Sequence, residues 1–210
     1  GRQMAVMRRI LTPTEEMIPI FTRITREHLA RWESRPFVEP YVDVKLLALR
    51  IDCAALLGLD LDEPQCRFIL DNFAELVKGF SHFLPLDVPP CPFHRAMNAR
   101  RRLQRVFEEI IVEQQADAAG AAPAARRHRR AGEGRSHPLG RLLEAASEDP
   151  SVGLAELKDQ LQILMFAGHE FPGAGIIGAC LELVRNPDVA ARLRRELREL
   201  GDRPSVEQLR

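Results

Sequence analysis

His169 and Glu170 stand side by side in the middle of an otherwise apolar run, Leu161 to Leu181, and carry its clearest chemical potential. Placing an acid in apolar surroundings is costly unless it has a partner or a proton to handle. Glu170 is therefore read either as a proton-handling group or as half of a buried salt bridge. Two familiar patterns touch the same stretch. His169-Glu170 would open an HExxH zinc signature, but Gly173 occupies the place of the second His, and that chemistry fails. Gly173-Ala-Gly175-Ile-Ile-Gly178 has the spacing of a dinucleotide fingerprint, with Glu196 about 20 residues on as its ribose acid. Such a fingerprint must follow a strand directly and open a helix. Here AGHEFP separates the glycines from the one strand-like run, Leu161 to Phe166, and Glu196 falls in a basic helical pattern. No nucleotide site is assigned. Cys53, Cys66, Cys91 and Cys180 are far apart, with no CxxC pair and no clustered His, so no metal-ligand set is assigned either. Three of the four lie in apolar or mixed helical patterns and read as reduced core thiols, which places the chain in a reducing compartment.

The element that must position His169 and Glu170 is Leu154 to Arg185, LAELKDQLQILMFAGHEFPGAGIIGACLELVR. At ~1.5 Å per residue it makes a helix of about 48 Å. Because it is apolar on every side from Leu161, burial all round is expected. Its centre is weak: Gly168, Gly173, Gly175 and Gly178 cost about 1 kcal/mol each and Pro172 about 3. Neighbours or a ligand must hold it, and the glycines mark close approach to the backbone. The site is accordingly placed at Ala167 to Pro172. The run is long enough to cross a bilayer, but His169, Glu170 and Pro172 would fall at the membrane centre, so it is not read as a span.

The other elements follow from periodicity and breakers. Thirty basic and 30 acidic residues balance, leaving no global field that favours nucleic acid. A short basic helix ends at Pro13, and a second, opened by Thr14, runs through Trp32 towards Pro36. A third covers Val42 to Leu57, apolar except for Asp43, Lys45, Arg50 and Asp52, and reads as a core helix. A fourth spans Glu63 or Pro64 to Gly79. FSHFLPLDVPPCPFHR is either a lid over an apolar cavity or a packed connection, and both readings stand. A fifth helix covers Phe93 to Gln115, residues 116–135 read as a low-complexity solvated loop, and His137 to Ser147 is a short sixth. After the central helix, Asn186-Pro187 makes a turn and Asp188 is expected to cap a last helix reaching Gly201. No run alternates at period two. Residues 1–210 therefore read as a single, mainly α domain.

The run LKDQLQILMFAGHEFPGAGIIGACLELVRNPDVAARLRREL resembles the long central helix of the cytochrome P450 family and the helix after it. That family carries an [Ala/Gly]-Gly-x-[Asp/Glu]-Thr signature there, followed by an Asn/His-Pro-Asp/Glu turn. Ala167, Gly168 and Glu170 match its first, second and fourth positions. GRQMAVMRRILTP is similar to the family's basic helix beside the haem propionates, with Arg8 at the propionate-binding position and Met4 where His or Trp is usual. FLPLDVPPCPFHRAMNARRRL resembles the loop and helix over the substrate cavity in retinoid- and sterol-oxidising branches. The resemblance covers almost the whole chain.

It implies a partial P450 fold, from the propionate-binding helix to the helix after the central one, and haem as cofactor, held by a Cys thiolate. It further implies dioxygen (O2) and an apolar small-molecule substrate, isoprenoid or sterol-like in class, as reactants, and a reductase or ferredoxin as electron donor. Ala167 and Gly168 would border the oxygen site and Glu170 would serve proton delivery, while Phe166, Phe80, Phe83 and Leu84 would line the substrate cavity. The chain departs from the family at Phe171, which replaces the Thr and offers no hydroxyl, and at Pro172. No Phe-x-x-Gly-x-Arg-x-Cys-x-Gly segment occurs, and the Glu-x-x-Arg helix that the family places after the segment matching SVEQLR is missing too. The chain thus reads as the middle of a longer monooxygenase, without its iron ligand and inactive alone. The rival is a non-catalytic P450 descendant that binds apolar ligands or acts as a scaffold. The resemblance is compatible with a cytoplasmic protein or a membrane-associated one facing the cytoplasm.

Overall fold

The computed structural model describes residues 17–80, 86–118, 129–130, 137–148 and 153–200. Among them are seven α-helices: α1 (Met17–Glu33), α2 (Pro40–Asp52), α3 (Glu63–Phe80), α4 (Pro92–Ala118), α5 (Pro138–Glu148), α6 (Leu154–Arg185) and α7 (Pro187–Leu200). The architecture is mainly α, as the periodicity predicts, and the bounds of α6 coincide with the apolar run read from sequence. Four local readings are corrected. Residues 116–118 continue α4 instead of entering the loop, because its helical ladder extends past Gln115. Arg129–Arg130, read as loop, forms a two-residue strand β2 antiparallel to β1 (Leu59–Asp60), too short to display alternation. Asp188 lies inside the first turn of α7, where the Asn186 carbonyl accepts from the Ala190 N–H and Pro187 leads the helix. Cys53 and Cys66 are core thiols, but Cys180 is exposed.

The third predicted helix changes pitch. It is α-helical to Asp52 and then widens into a single π-turn, Cys53–Leu57, closed by Gly58 at φ +66°, whose N–H donates to the Cys53 carbonyl. A side chain at Gly58 would be strained by that φ and would also sit 2.5 Å from the His137 ring. His137 in turn accepts the Gly140 N–H on Nδ1 at 3.1 Å and so caps α5. One glycine thereby joins the end of α2 to the start of α5.

The main core gathers Leu49, Leu57, Phe73, Leu103, Phe107 and Leu161 from α2 to α6. A smaller cluster of Ile24, Leu47 and Ala54 attaches α1. Ion pairs clamp the same join: Arg50 donates to Asp60 at 2.9 Å and Glu27 at 2.6 Å, and Arg23 reaches Asp60 at 3.0 Å. The buried acid Asp60 is thus fully paired, as low-dielectric surroundings require.

Burial of α6 differs from expectation. Only the stripe Leu157, Leu161, Met165, His169 and Gly173, four residues apart, is buried. Ile163, Phe171 and Val184 are 68%, 73% and 82% exposed, because α2 and α4 pack against one side of the helix and no described residue covers the other. All-round apolarity reports that every face has an apolar destination, and this chain fills one of them.

The crossing of α2 over α6 is closest at Gly168. A β-carbon there would lie 2.2 Å from Asp52 Oδ1 and 2.4 Å from Oδ2, so the carboxyl occupies the space of the missing side chain. Asp52 is 9% exposed, and its Oδ2 has no hydrogen-bond partner. Burial raises its carboxyl from 3.8 to about 8.

Two outcomes follow from this contact. Gly168→Ala overpacks it and lowers unfolding free energy by about 1–3 kcal/mol, a loss that shrinks when Asp52→Ala opens the space; urea unfolding measures both. The folded chain keeps the Asp52 proton up to about pH 8, whereas the unfolded chain releases it near 3.8. The folded state binds the extra proton between those values, so the associated stability is complete below the lower one and is lost as pH rises through the upper. The slope reaches at most about 1.4 kcal/mol per pH unit. Asp52→Asn should flatten it in urea titrations across that window, and an unchanged slope would contradict the assignment.

Candidate functional site

The polar residues of α6 meet α2 and α3 around a cleft of about 300 Å³. Tyr41, Lys45 and Leu46 come from α2, Phe73 and Val77 from α3, and Phe166, His169 and Glu170 from α6. Glu170 sits at the rim. Its Oε1 accepts from Lys45 Nζ at 2.8 Å, and Lys45 also donates to the Tyr41 hydroxyl at 2.7 Å. The ammonium lies 4.4 Å from the Tyr41 ring centroid, within range of a cation–π contact. Burial pulls the Lys45 ammonium downward, but its hydrogen bonds to Glu170 and Tyr41 outweigh that and raise its pKa. Of the two readings of Glu170, the salt bridge is therefore present, partly buried, and leaves Oε2 for other work.

His169 is 1% exposed and packs its ring 5.1 Å from Phe73 and 6.0 Å from Phe166, centroid to centroid. Its Nδ1 meets the Met165 carbonyl. A carbonyl only accepts, so Nδ1 carries the proton and Nε2 is the bare nitrogen. Nε2 lies 3.7 Å from Glu170 Oε2, beyond a direct hydrogen bond. Burial lowers the His169 pKa more than the Met165 carbonyl and Glu170 raise it, which keeps the ring neutral at pH 7.

The second feature is the open face of α6. Ile163, Ala167 and Phe171 are four residues apart and share it, with the smallest side chain at its centre. Ile163 and Phe171 are exposed, and Ala167 is half-buried. An apolar wall with a methyl-sized notch can accept a flat apolar group such as a porphyrin. The thiols do not complete that fit. Cys53 is fully buried with its pKa raised well above the usual range by burial, and burial pushes the Cys66 thiol to about 12, so neither offers a thiolate. The described residues fit one wall of a haem site, and neither core thiol supplies its iron ligand.

The structure brings together four of the sequence-assigned residues, Phe166, Ala167, Gly168 and Glu170, within one turn and a half of α6, with Phe171 beside them on the open face. Phe166 lines the cleft, and Gly168 faces Asp52. Phe80, 75% exposed at the end of α3, does not line it. Met4, Arg8, Phe83 and Leu84 lie outside the described residues. Sequence reasoning singled out His169 without giving it a role, and passed over Lys45, Tyr41, Phe73 and Asp52 as site residues. Two of these were visible as charges inside an apolar helix; their targets on α6 were not. The glycines 173, 175 and 178 lie within α6 and not on a strand-to-helix turn, which removes the dinucleotide pattern.

The family model described as Cytochrome P450 matches residues 2–209. Cytochrome P450 26B1 of Danio rerio is 27% identical over 190 residues, covering 89% of this chain and 34% of that protein. Cytochrome P450 26C1 of Homo sapiens is 29% identical over 187 residues, covering 87% and 33%. The chain thus spans about a third of the length of the curated relatives it matches. Among solved structures, the retinoic acid bound cyanobacterial CYP120A1 has a TM-score of 0.76 at 25% identity, covering 98% of this chain and 44% of that one. The cytochrome P450DA heme domain, at 16% identity and a TM-score of 0.69, shares the fold. With the match running nearly end to end and the same helical scaffold recurring in solved relatives, this chain belongs to the cytochrome P450 family.

Proposed function

We propose that this chain is the distal wall of a haem-dependent monooxygenase that inserts one oxygen atom from O2 into an apolar, isoprenoid or sterol-like substrate. The observation that carries the reading is the pairing, on one turn of α6, of the small Ala167 on an open apolar face with Glu170 held at a polar cleft. Haem, when bound through a Cys thiolate outside these residues, supplies the oxygen chemistry. The chain's own residues then have separable tasks. Ala167 leaves room beside the cofactor. Glu170, fixed by Lys45, holds a carboxylate between the cleft and the open face, where it can pass protons inward. Phe166 and Phe73 keep the intervening volume apolar. The similar cyanobacterial structure carries retinoic acid, which supports an isoprenoid substrate class for this protein. Electrons would come from a reductase or ferredoxin. A cytoplasmic location, or attachment to a membrane with this domain facing the cytoplasm, accords with that supply, and residues 1–210 would form one part of one helical domain.

Phe171 favours a second reading. With a phenyl where the family has a hydroxyl, the site lacks the group that would hand on the proton from Glu170, as expected of a non-catalytic descendant that binds apolar ligands or scaffolds.

Two measurements separate these readings. Coding sequence that continues past Arg210 into Glu-x-x-Arg and a Gly-x-Arg-x-Cys loop, in a protein giving a carbon monoxide difference band near the wavelength of thiolate-ligated haem, is expected from the monooxygenase; a continuous transcript without the Cys rejects it. In that full-length protein, Phe171→Thr should raise the ratio of oxygenated product to hydrogen peroxide by about tenfold or more, within the usual worth of a positioned proton donor. A ratio that does not move would sink the proton-delivery role given to this turn.

A further inference from the structure

Pro172 interrupts the hydrogen-bond ladder of α6 without interrupting the helix. It has no N–H, so the carbonyl of Gly168, four residues earlier, loses its helical donor. A carbonyl left without a donor inside a packed helix crossing is costly, and a nearby polar group normally satisfies it. The residue against Gly168 is Asp52, whose carboxyl oxygens fill the volume a β-carbon would take. That carboxyl is itself incompletely satisfied, since its buried Oδ2 has no partner. A carbonyl without its helical donor and a carboxyl with an unpartnered oxygen thus belong to residues in direct contact, one group able only to accept and the other able to donate if protonated.

Neighbouring charges do not draw the carboxyl elsewhere. On α2, Lys45 is committed to Glu170, and Arg50 to Asp60 and Glu27. On α6, His169 gives its Nδ1 proton to the Met165 carbonyl, and Glu170 faces Lys45. The following residue, Cys53, is a fully buried thiol. With no cation beside it and burial as the cause of its raised pKa, Asp52 stays neutral at pH 7.

We infer that Asp52 is a positioning residue: as a neutral acid it donates to the Gly168 carbonyl the hydrogen bond that Pro172 withholds, and so holds α6 in shape beside Ala167 and Glu170. The value of this for oxygen chemistry rests on the function proposed above. The bond itself does not, so its test uses stability and infrared readouts that need no haem.

The full chain is compared with Asp52→Asn and Asp52→Leu, each in the Pro172 background and with Pro172→Ala, which restores the missing N–H. Relative to Asp52→Asn, which likewise takes up no proton, Asp52→Leu is expected to lower the folding equilibrium constant by up to roughly tenfold when Pro172 is present, the worth of one hydrogen bond. With Pro172→Ala that loss should largely vanish. Asp52→Asn, whose amide can still donate, should lose no hydrogen bond in either background, and at pH 7 it should exceed the parent in stability because it takes up no proton on folding. The parent should also show the infrared band of a neutral carboxylic acid at pH 7 that Asp52→Asn lacks. Equal losses for Asp52→Leu in both backgrounds, or no acid band assignable to Asp52, overturns the inference. A Leu variant that fails to fold in both backgrounds counts against it too, because the N–H restored by Pro172→Ala should then have met the carbonyl.

Discussion

The rest of the structure depends on how closely α2 can lie against α6, and that is set by a glycine facing a carboxyl. At Gly168 the α6 backbone has no side chain to hold α2 away, and Asp52 takes the vacated space. The approach brings Lys45, two turns earlier on α2, within 2.8 Å of Glu170. It also seats His169 between Phe73 and Phe166, sealing the floor of the cleft. A larger residue at position 168 would push the helices apart and loosen all of these together, since interiors packed to crystal density pass strain to their neighbours.

Helix α2 acts as the organiser through its charges as much as its apolar surface. Each of its four polar exceptions makes a directed contact. Asp43 accepts from the Glu39 N–H and from Arg35, fixing the start of the helix. Lys45 holds α6 through Glu170, Arg50 ties in α1 and β1, and Asp52 adjoins Gly168. Ionic and polar groups inside a core add little net stability compared with apolar packing, but breaking one partner is expensive. Their use here is registry: a helix with directed contacts to α1, β1 and, at two heights, α6 can dock in only one rotation and at one height.

Helix positions were largely legible because 3.6-residue periodicity and proline breakers act locally. Leu154–Arg185 and Glu63–Phe80 lie within a residue of where the apolar pattern places them. What was not legible depends on pairing across long sequence separations. Arg129 and Arg130 look like solvated charge until their backbone is seen beside Leu59 and Asp60. The site was legible in type and not in partnership. Glu170 in an apolar run announced either a proton task or a salt bridge, and only the fold supplied Lys45, 125 residues away. Gly168 is the sharper case. Resemblance assigned its smallness to space for dioxygen, whereas packing against Asp52 is sufficient to require a glycine there.

The two faces of α6 explain why its sequence could mislead about burial. A helix can be apolar on both sides for different reasons. The side towards α2 and α4 is apolar because it packs, and its stripe from Leu157 to Gly173 repeats every four residues, the ridge along which helices interdigitate. The side carrying Ile163, Ala167 and Phe171 has no such neighbour among the described residues, so its apolarity answers to whatever shares that face. Phe171 and Pro172 therefore bear on different problems. Pro172 disturbs the ladder whose carbonyl lies at the α2 crossing, where a buried acid is at hand to compensate. Phe171 bears on the open face alone, out of reach of the packed side. The first concerns how the helix packs, and the second only what meets its open face.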